Sequence, residues 1–181
     1  PLYVNHSASR SPIVGTSLEY FEKRELSFKG GRAFAVLGEV VAGSQAAKSF
    51  GLEVGGTIRS DTQNLYNIAG AYPMILKVVG ILEPSRTIDD GAFFASVQTA
   101  WMLDGIIHGH EKVDARNALN PSAQEGENLE ATAAIFMIPE ITEQNRKRFH
   151  LHGSQDSLPL GAVLVYPKSQ MMQDVLMGDY A

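Results

Sequence analysis

Apolar positions along this chain fall in short runs separated by glycine, proline and polar turns, a pattern that predicts strands and short helices rather than long helices. Leu2-Tyr3-Val4 and Ile13-Val14 lie on either side of a polar stretch, giving two short strands around a turn, with Gly15 where the chain bends. Residues 18–26 mix Tyr20 and Phe21 with charges and predict a short helical turn or loop, and Lys29-Gly30-Gly31-Arg32 predicts a turn. Glu39-Val40-Val41-Ala42 reads as a buried strand. Ser44 is placed to cap a two-turn helix whose apolar face is Ala46, Ala47 and Phe50, and Gly51 to end it in the left-handed region. Val54-Gly55-Gly56-Thr57-Ile58 then turns into the next strand.

Residues 74–82 form a clear strand pattern closed by Glu83-Pro84. Thr87-Ile88-Asp89-Asp90-Gly91 is a turn, Ala92-Phe93-Phe94-Ala95 a strand, and residues 97–103 a helix with Ser96 as its cap. From 108 to 128 the composition becomes polar, which predicts a flexible connector. Beyond it the pattern predicts a buried strand over 131–138, a short helix over 142–148, a strand over 161–166 and a helix over 168–176. The expected class is therefore α+β: a β-rich lobe with short helices over residues 1–107, the connector 108–128, and a smaller β-α-β-α lobe with a mixed sheet over 129–181.

At 181 residues, 44% hydrophobic and 19% charged, the chain is long enough to bury a core and has an ordinary globular composition. Its net charge of -5 provides no basic face for phosphates, so nucleic acid is not an expected partner. There is no cysteine, which removes disulfides, thiolate metal sites and cysteine nucleophiles. No apolar run approaches the roughly 20 residues that span a bilayer. The opening Pro1-Leu2-Tyr3-Val4 carries neither initiator Met nor signal pattern and reads as a piece of something longer.

Catalytic patterns are weak. Gly51-x-x-x-Gly55-Gly56-Thr57 lacks the Gly-Lys-Ser/Thr of a phosphate loop and leads into a strand, not a helix. No Gly-x-Ser-x-Gly elbow is present, and a triad assembled from His108, Asp104 and some serine has no spacing to support it. Asp89-Asp90 reads as a turn pair bonding its own backbone. The expectation is a protein that is not an enzyme. The histidines carry the one chemical pattern: His108-Gly109-His110-Glu111 and His150-Leu151-His152 hold four of the five. Alternate residues of an extended segment share a side, so each pair can present two imidazoles, with Glu111 or Asp156 as an oxygen ligand; zinc is the cofactor this set would suit. Met171, Met172 and Met177 are read as helix packing, not as copper ligands.

Taken in order, Val40-Val41-Ala42-Gly43-Ser44-Gln45-Ala46-Ala47, Phe50-Gly51-Leu52-Glu53-Val54-Gly55-Gly56-Thr57-Ile58, Leu76-Lys77-Val78-Val79-Gly80-Ile81-Leu82 and Thr87-Ile88-Asp89-Asp90-Gly91-Ala92-Phe93-Phe94 resemble the periplasmic core domain of MacB-like and FtsX-like ABC-transporter permeases. Ile13-Val14-Gly15-Thr16 and Gly31-Arg32 extend the resemblance to about residues 13–103, and Gly56 departs from it where the family usually has Asp. The resemblance implies a periplasmic domain of an inner-membrane protein, set between the first two membrane helices, with the helix over 168–176 nearest the membrane. It also implies a further β-α-β piece before the start, with Leu2-Tyr3-Val4 as its last strand. The implied partners are a cytoplasmic ABC ATPase, reached through the membrane helices, and a periplasmic adaptor or substrate protein. A homodimer is an assembly open to the full-length transporter. The competing reading is a metal-handling domain of a zinc-linked ABC transporter, built on His108, His110, Glu111, His150 and His152.

Overall fold

A strand with no solvent face needs cover on both sides, and β4 (Glu39–Ala42) has it, since all four residues are buried. In the computed structural model, which describes residues 1–61, 73–109, 138–151 and 158–180, β4 lies within a seven-stranded sheet. The other strands are β1 (Tyr3–Ala8), β2 (Ser11–Thr16), β3 (Phe28–Gly31), β5 (Thr57–Arg59), β6 (Ile75–Leu82) and β7 (Phe93–Ser96). The order is β1-β2-β7-β4-β6-β3, with β5 paired to the start of β6. The β2–β7 and β4–β6 pairs are parallel and the rest antiparallel. With its short helices this is an α+β fold on a mixed sheet.

Alternation along the central strands feeds two cores. Val40, Leu76, Val78 and Phe93 enter one, closed by Ala46 and Ala47 of α2 (Ser44–Ser49) and by Met102 and Leu103 of α3 (Val97–Leu103). Val41, Val79, Leu82 and Phe94 enter the other, beneath Phe21 of α1 (Glu19–Lys23), Leu26 and Phe34. The Phe21 ring lies 5.5 to 5.8 Å from those of Phe28, Phe34 and Phe94, within the range of favourable aromatic pairs.

Local chemistry explains most element ends, and some differ from the sequence expectation. Ser96 caps α3 as expected, its hydroxyl accepting from the Thr99 amide at 3.1 Å. The cap position of α2 belongs to Gly43, not Ser44, and no side-chain bond is made there. A Cβ on Gly43 would sit 2.3 Å from the Asp89 carbonyl oxygen, so this close crossing admits only glycine. Residues 29–31 are not a turn: β3 pairs antiparallel with β6, drawn in by Phe28, which packs on the second core.

The C-terminal third departs further. Thr142 and Asn145 bond each other's amides, which competes with an α-helix. In place of the expected helix over 142–148 there is a turn and a single 3-10 turn at Arg146–Arg148. Ile138 is buried and Ile141 packs on the first core, while Glu140 bridges Ile75, so this segment joins the sheet body. Two strands absent from the expectation, β8 (Ile107–Gly109) and β9 (Phe149–Leu151), form an antiparallel pair. The expected connector over 108–128 instead has its first two residues in β8; the rest of it and the expected strand over 131–138, apart from Ile138, lie outside the described residues.

The expected strand over 161–166 does not form. Leu2 exchanges hydrogen bonds with Ala162, at 2.7 and 3.0 Å, and that single bridge is all the pairing among the described residues. A segment with no neighbouring strand has no ladder to join. Val163, Leu164, Val165 and Tyr166 therefore stand exposed. The final helix, α4 (Gln170–Tyr180), begins after Ser169 and runs to 180 rather than 176. Its methionines are not packed: Met171 is 75% exposed, Met172 50% and Met177 64%.

Candidate functional site

The two histidine segments become β8 and β9, and their register sets His108 directly opposite His150. Sequence spacing alone did not show this pairing. Residues directly across an antiparallel ladder share one face of it. His150 is exposed, and its Nδ1 lies 3.0 Å from the carbonyl oxygen of Arg148. His110, Glu111, His152 and Asp156, the remaining candidate ligands, lie outside the described residues. Among the described residues no group of three or more His, Cys, Asp or Glu side chains gathers in metal-ligating geometry.

Asp104 belongs to a different cluster from the one a triad would need. It ends α3, and its carboxylate gathers three side chains of β1: His6 Nε2 at 2.7 Å, Asn5 Nδ2 at 2.8 Å, and the Tyr3 hydroxyl. His6 is 5% exposed, and its contact with the partly buried Asp104 ties β1 to α3. Burial, reinforced by the bond to Asp104, pushes the Tyr3 phenol up to about 12. The signal for this cluster is Tyr-x-Asn-His on a strand, and nothing local in the sequence points from it to a carboxylate 98 residues away.

Trp101, one turn before Asp104, donates from Nε1 to the Pro159 carbonyl at 2.8 Å. Thus α3 is tied to the N-terminal leg through Asp104 and to the C-terminal leg through Trp101. The legs are tied to each other by Leu2, whose carbonyl accepts from the amides of Gly161 and Ala162 at 2.9 and 3.0 Å.

The glycine-rich turn does not cradle an anion. The Gly55 amide donates to Val78 and the Gly56 amide to Glu53, so both are used by the protein's own carbonyls. The acidic pair divides. Asp90 is a turn residue that accepts from Ser85 and Arg86 amides, as expected. Asp89 is buried and does more, accepting from Tyr20 at 2.7 Å, from Arg24 at 2.8 Å and from Thr87 at 2.9 Å. It locks α1 to the turn before β7. An open groove of about 1230 Å³ runs between α2 and the end of β6, and the charges on its wall, Lys29, Lys48, Glu53 and Glu83, are of both signs.

No protein-family model matches this chain, and no curated protein matches it.

Proposed function

We propose that this chain is the extracytoplasmic domain of a MacB-like or FtsX-like ABC-transporter permease. It performs no chemistry. It couples ATP hydrolysis by a cytoplasmic ATPase, acting through the membrane helices of the full-length permease, to a periplasmic adaptor or substrate protein. The observation that supports this reading is the antiparallel contact of Leu2 with Gly161 and Ala162. The chain enters and leaves the sheet body by two adjacent legs, the arrangement a domain set between two membrane helices requires.

Mechanics follows from the ties on α3. A close-packed body with two cores transmits displacement instead of absorbing it. Movement of either leg acts on α3 through Asp104 or Trp101, and α3 packs against β1, β2, β7 and β8. The leg past Ala162 adds apolar surface with no cover among the described residues, suited to contact with the remainder of a larger protein.

The test uses the absence of cysteine. Ile88 is 88% exposed and this chain has no cysteine, so Ile88→Cys adds a reporter whose labelling is read against the unsubstituted full-length protein. In intact cells carrying the full-length protein, a membrane-impermeant maleimide should label it without lysis. Labelling only after lysis contradicts the reading.

A further inference from the structure

We propose that the open groove beside α2 docks an amphipathic helix of a partner protein, one with an apolar stripe, an acidic residue on each flank and a basic residue at each end. The groove is an unroofed margin of the first core. Leu52 and Ile81 pack on that core and stay partly exposed, Val54 is 47% exposed, and Pro84 is exposed. A sheet face is completed by a layer laid on it. Here α3 and α2 supply that layer over part of the face, and beyond α2 the groove opens over the end of β6 and over β3.

Size and edge chemistry select a helix as the occupant. At about 1230 Å³ the groove exceeds the roughly 300–1,000 Å³ of small-molecule pockets. An extended peptide would instead add to the outer edge of β3, which is unsuited to it. That strand has four residues, its register with β6 shifts between Phe28 and Gly30, Gly31 holds a φ of 78°, and Lys29 is exposed. Short length, bulges and lysine are the devices by which sheet edges resist a further strand. A helix laid beside α2, at the usual separation of about 8–10 Å between axes, needs no free edge.

The charges set the pattern of the occupant. Lys48 stands on α2 and Lys29 on β3, so a cation lines either side of the groove. Glu83 follows β6, its amide bonded to the Ser27 carbonyl. Glu53 precedes Val54, whose side chain approaches Gly31 opposite Gly80. From Gly80 to Glu83 is roughly 10 Å of strand, the length of about two helical turns. None of these four charges forms an ion pair among the described residues, which leaves their counter-charges to a partner. The groove lies at the β3 edge of the sheet and the legs at the β1 edge, so this inference is independent of the permease reading.

The probe is a hydrocarbon-stapled, fluorescein-labelled peptide of about 15 residues carrying that pattern, since unstapled helices of this length are marginal in water. Fluorescence anisotropy with the whole chain should show saturable one-to-one binding tighter than roughly 100 µM. A peptide of the same composition with its Lys and Glu positions exchanged should bind at least about tenfold more weakly. Lys48→Glu should weaken binding of the first peptide about fivefold, and Val54→Asp, which puts a charge on the apolar floor, at least about tenfold. Circular dichroism checks that each variant folds. If one does not, amide chemical-shift changes in the unaltered chain decide instead, and they should centre on residues 44–54 and 81–83. Absence of binding, equal affinity for the exchanged peptide, affinity unchanged in a folded variant, or shifts centred elsewhere, the β3 edge included, overturns the proposal.

Discussion

Phe93 and Val163 are both apolar, yet Phe93 is fully buried and Val163 is 63% exposed. The difference lies in the neighbours. Phe93 sits in β7, flanked by β2 and β4 and covered by the first core. Val163 follows a single bridge to Leu2 and meets no strand beyond it among the described residues. Apolar character alone does not bury a residue; a partner surface has to arrive. Burying one such aliphatic side chain is worth about 1.5–3 kcal/mol, so the leg carries stabilisation that only a covering partner can realise. In the proposed permease that cover comes from the rest of the protein.

Substitutions should separate the two regions sharply. Phe94→Ala removes a ring packed between Tyr20 and Phe21 and should cost about 3–5 kcal/mol by urea denaturation. Gly43→Ala drives a methyl into the Asp89 carbonyl and should cost about 2–3 kcal/mol in the same measurement. Asp89→Asn breaks a buried pair whose Arg24 partner remains about a third exposed. A loss near 2 kcal/mol is expected, below the full cost of a sealed pair, and is read from thermal denaturation. The Tyr20 phenol, pushed up to about 12 by burial and then by the bond to Asp89, should titrate lower in that variant by ultraviolet absorbance. Val163→Ala or Met177→Ala should change the stability of the isolated chain by less than about 0.5 kcal/mol.

The pH dependence sharpens the same contrast, because the perturbed groups named here lie in β1, α1 and β4, none of them past Ala162. Tyr3 and Tyr20 hold their protons to a higher pH when folded than the unfolded value of about 10. Their contribution is complete below that pH and is lost as pH rises from 10 towards 12. Glu39 works in the opposite direction. Burial raises its carboxyl, but the bond from Arg32 and the amides of Ala35 and Val36 outweigh burial and hold it below the ordinary glutamate range. That contribution is present above the ordinary value and lost as pH falls through the lowered one. Stability should therefore decline at both extremes, and Arg32→Ala should remove part of the acid limb.

The sheet body was largely legible because its signals are local. The run Glu39–Ala42, the cap at Ser96, the left-handed Gly51 and the turn at 87–91 each carry their reason within a few residues. What was not legible depends on distant partners. Phe28 converts an apparent Gly-Gly turn into an edge strand only because β6 is beside it. Asp104 finds His6 across nearly the whole sheet body, and His108 meets His150 through a pairing that no spacing rule encodes. The strand over 161–166 failed for the complementary reason: its pattern was right for a ladder, and no ladder reaches it among the described residues.

The central claim is that the leg past Ala162 is built to be covered while the body is already complete. Amide hydrogen exchange on the isolated chain and on the full-length protein in a membrane tests it directly. The account predicts strong protection of β4, β6 and β7 in both states, with residues 163–166 exchanging freely in the isolated chain and becoming protected in the full-length protein. Equal protection of 163–166 in the two states, whether high or low, would contradict it.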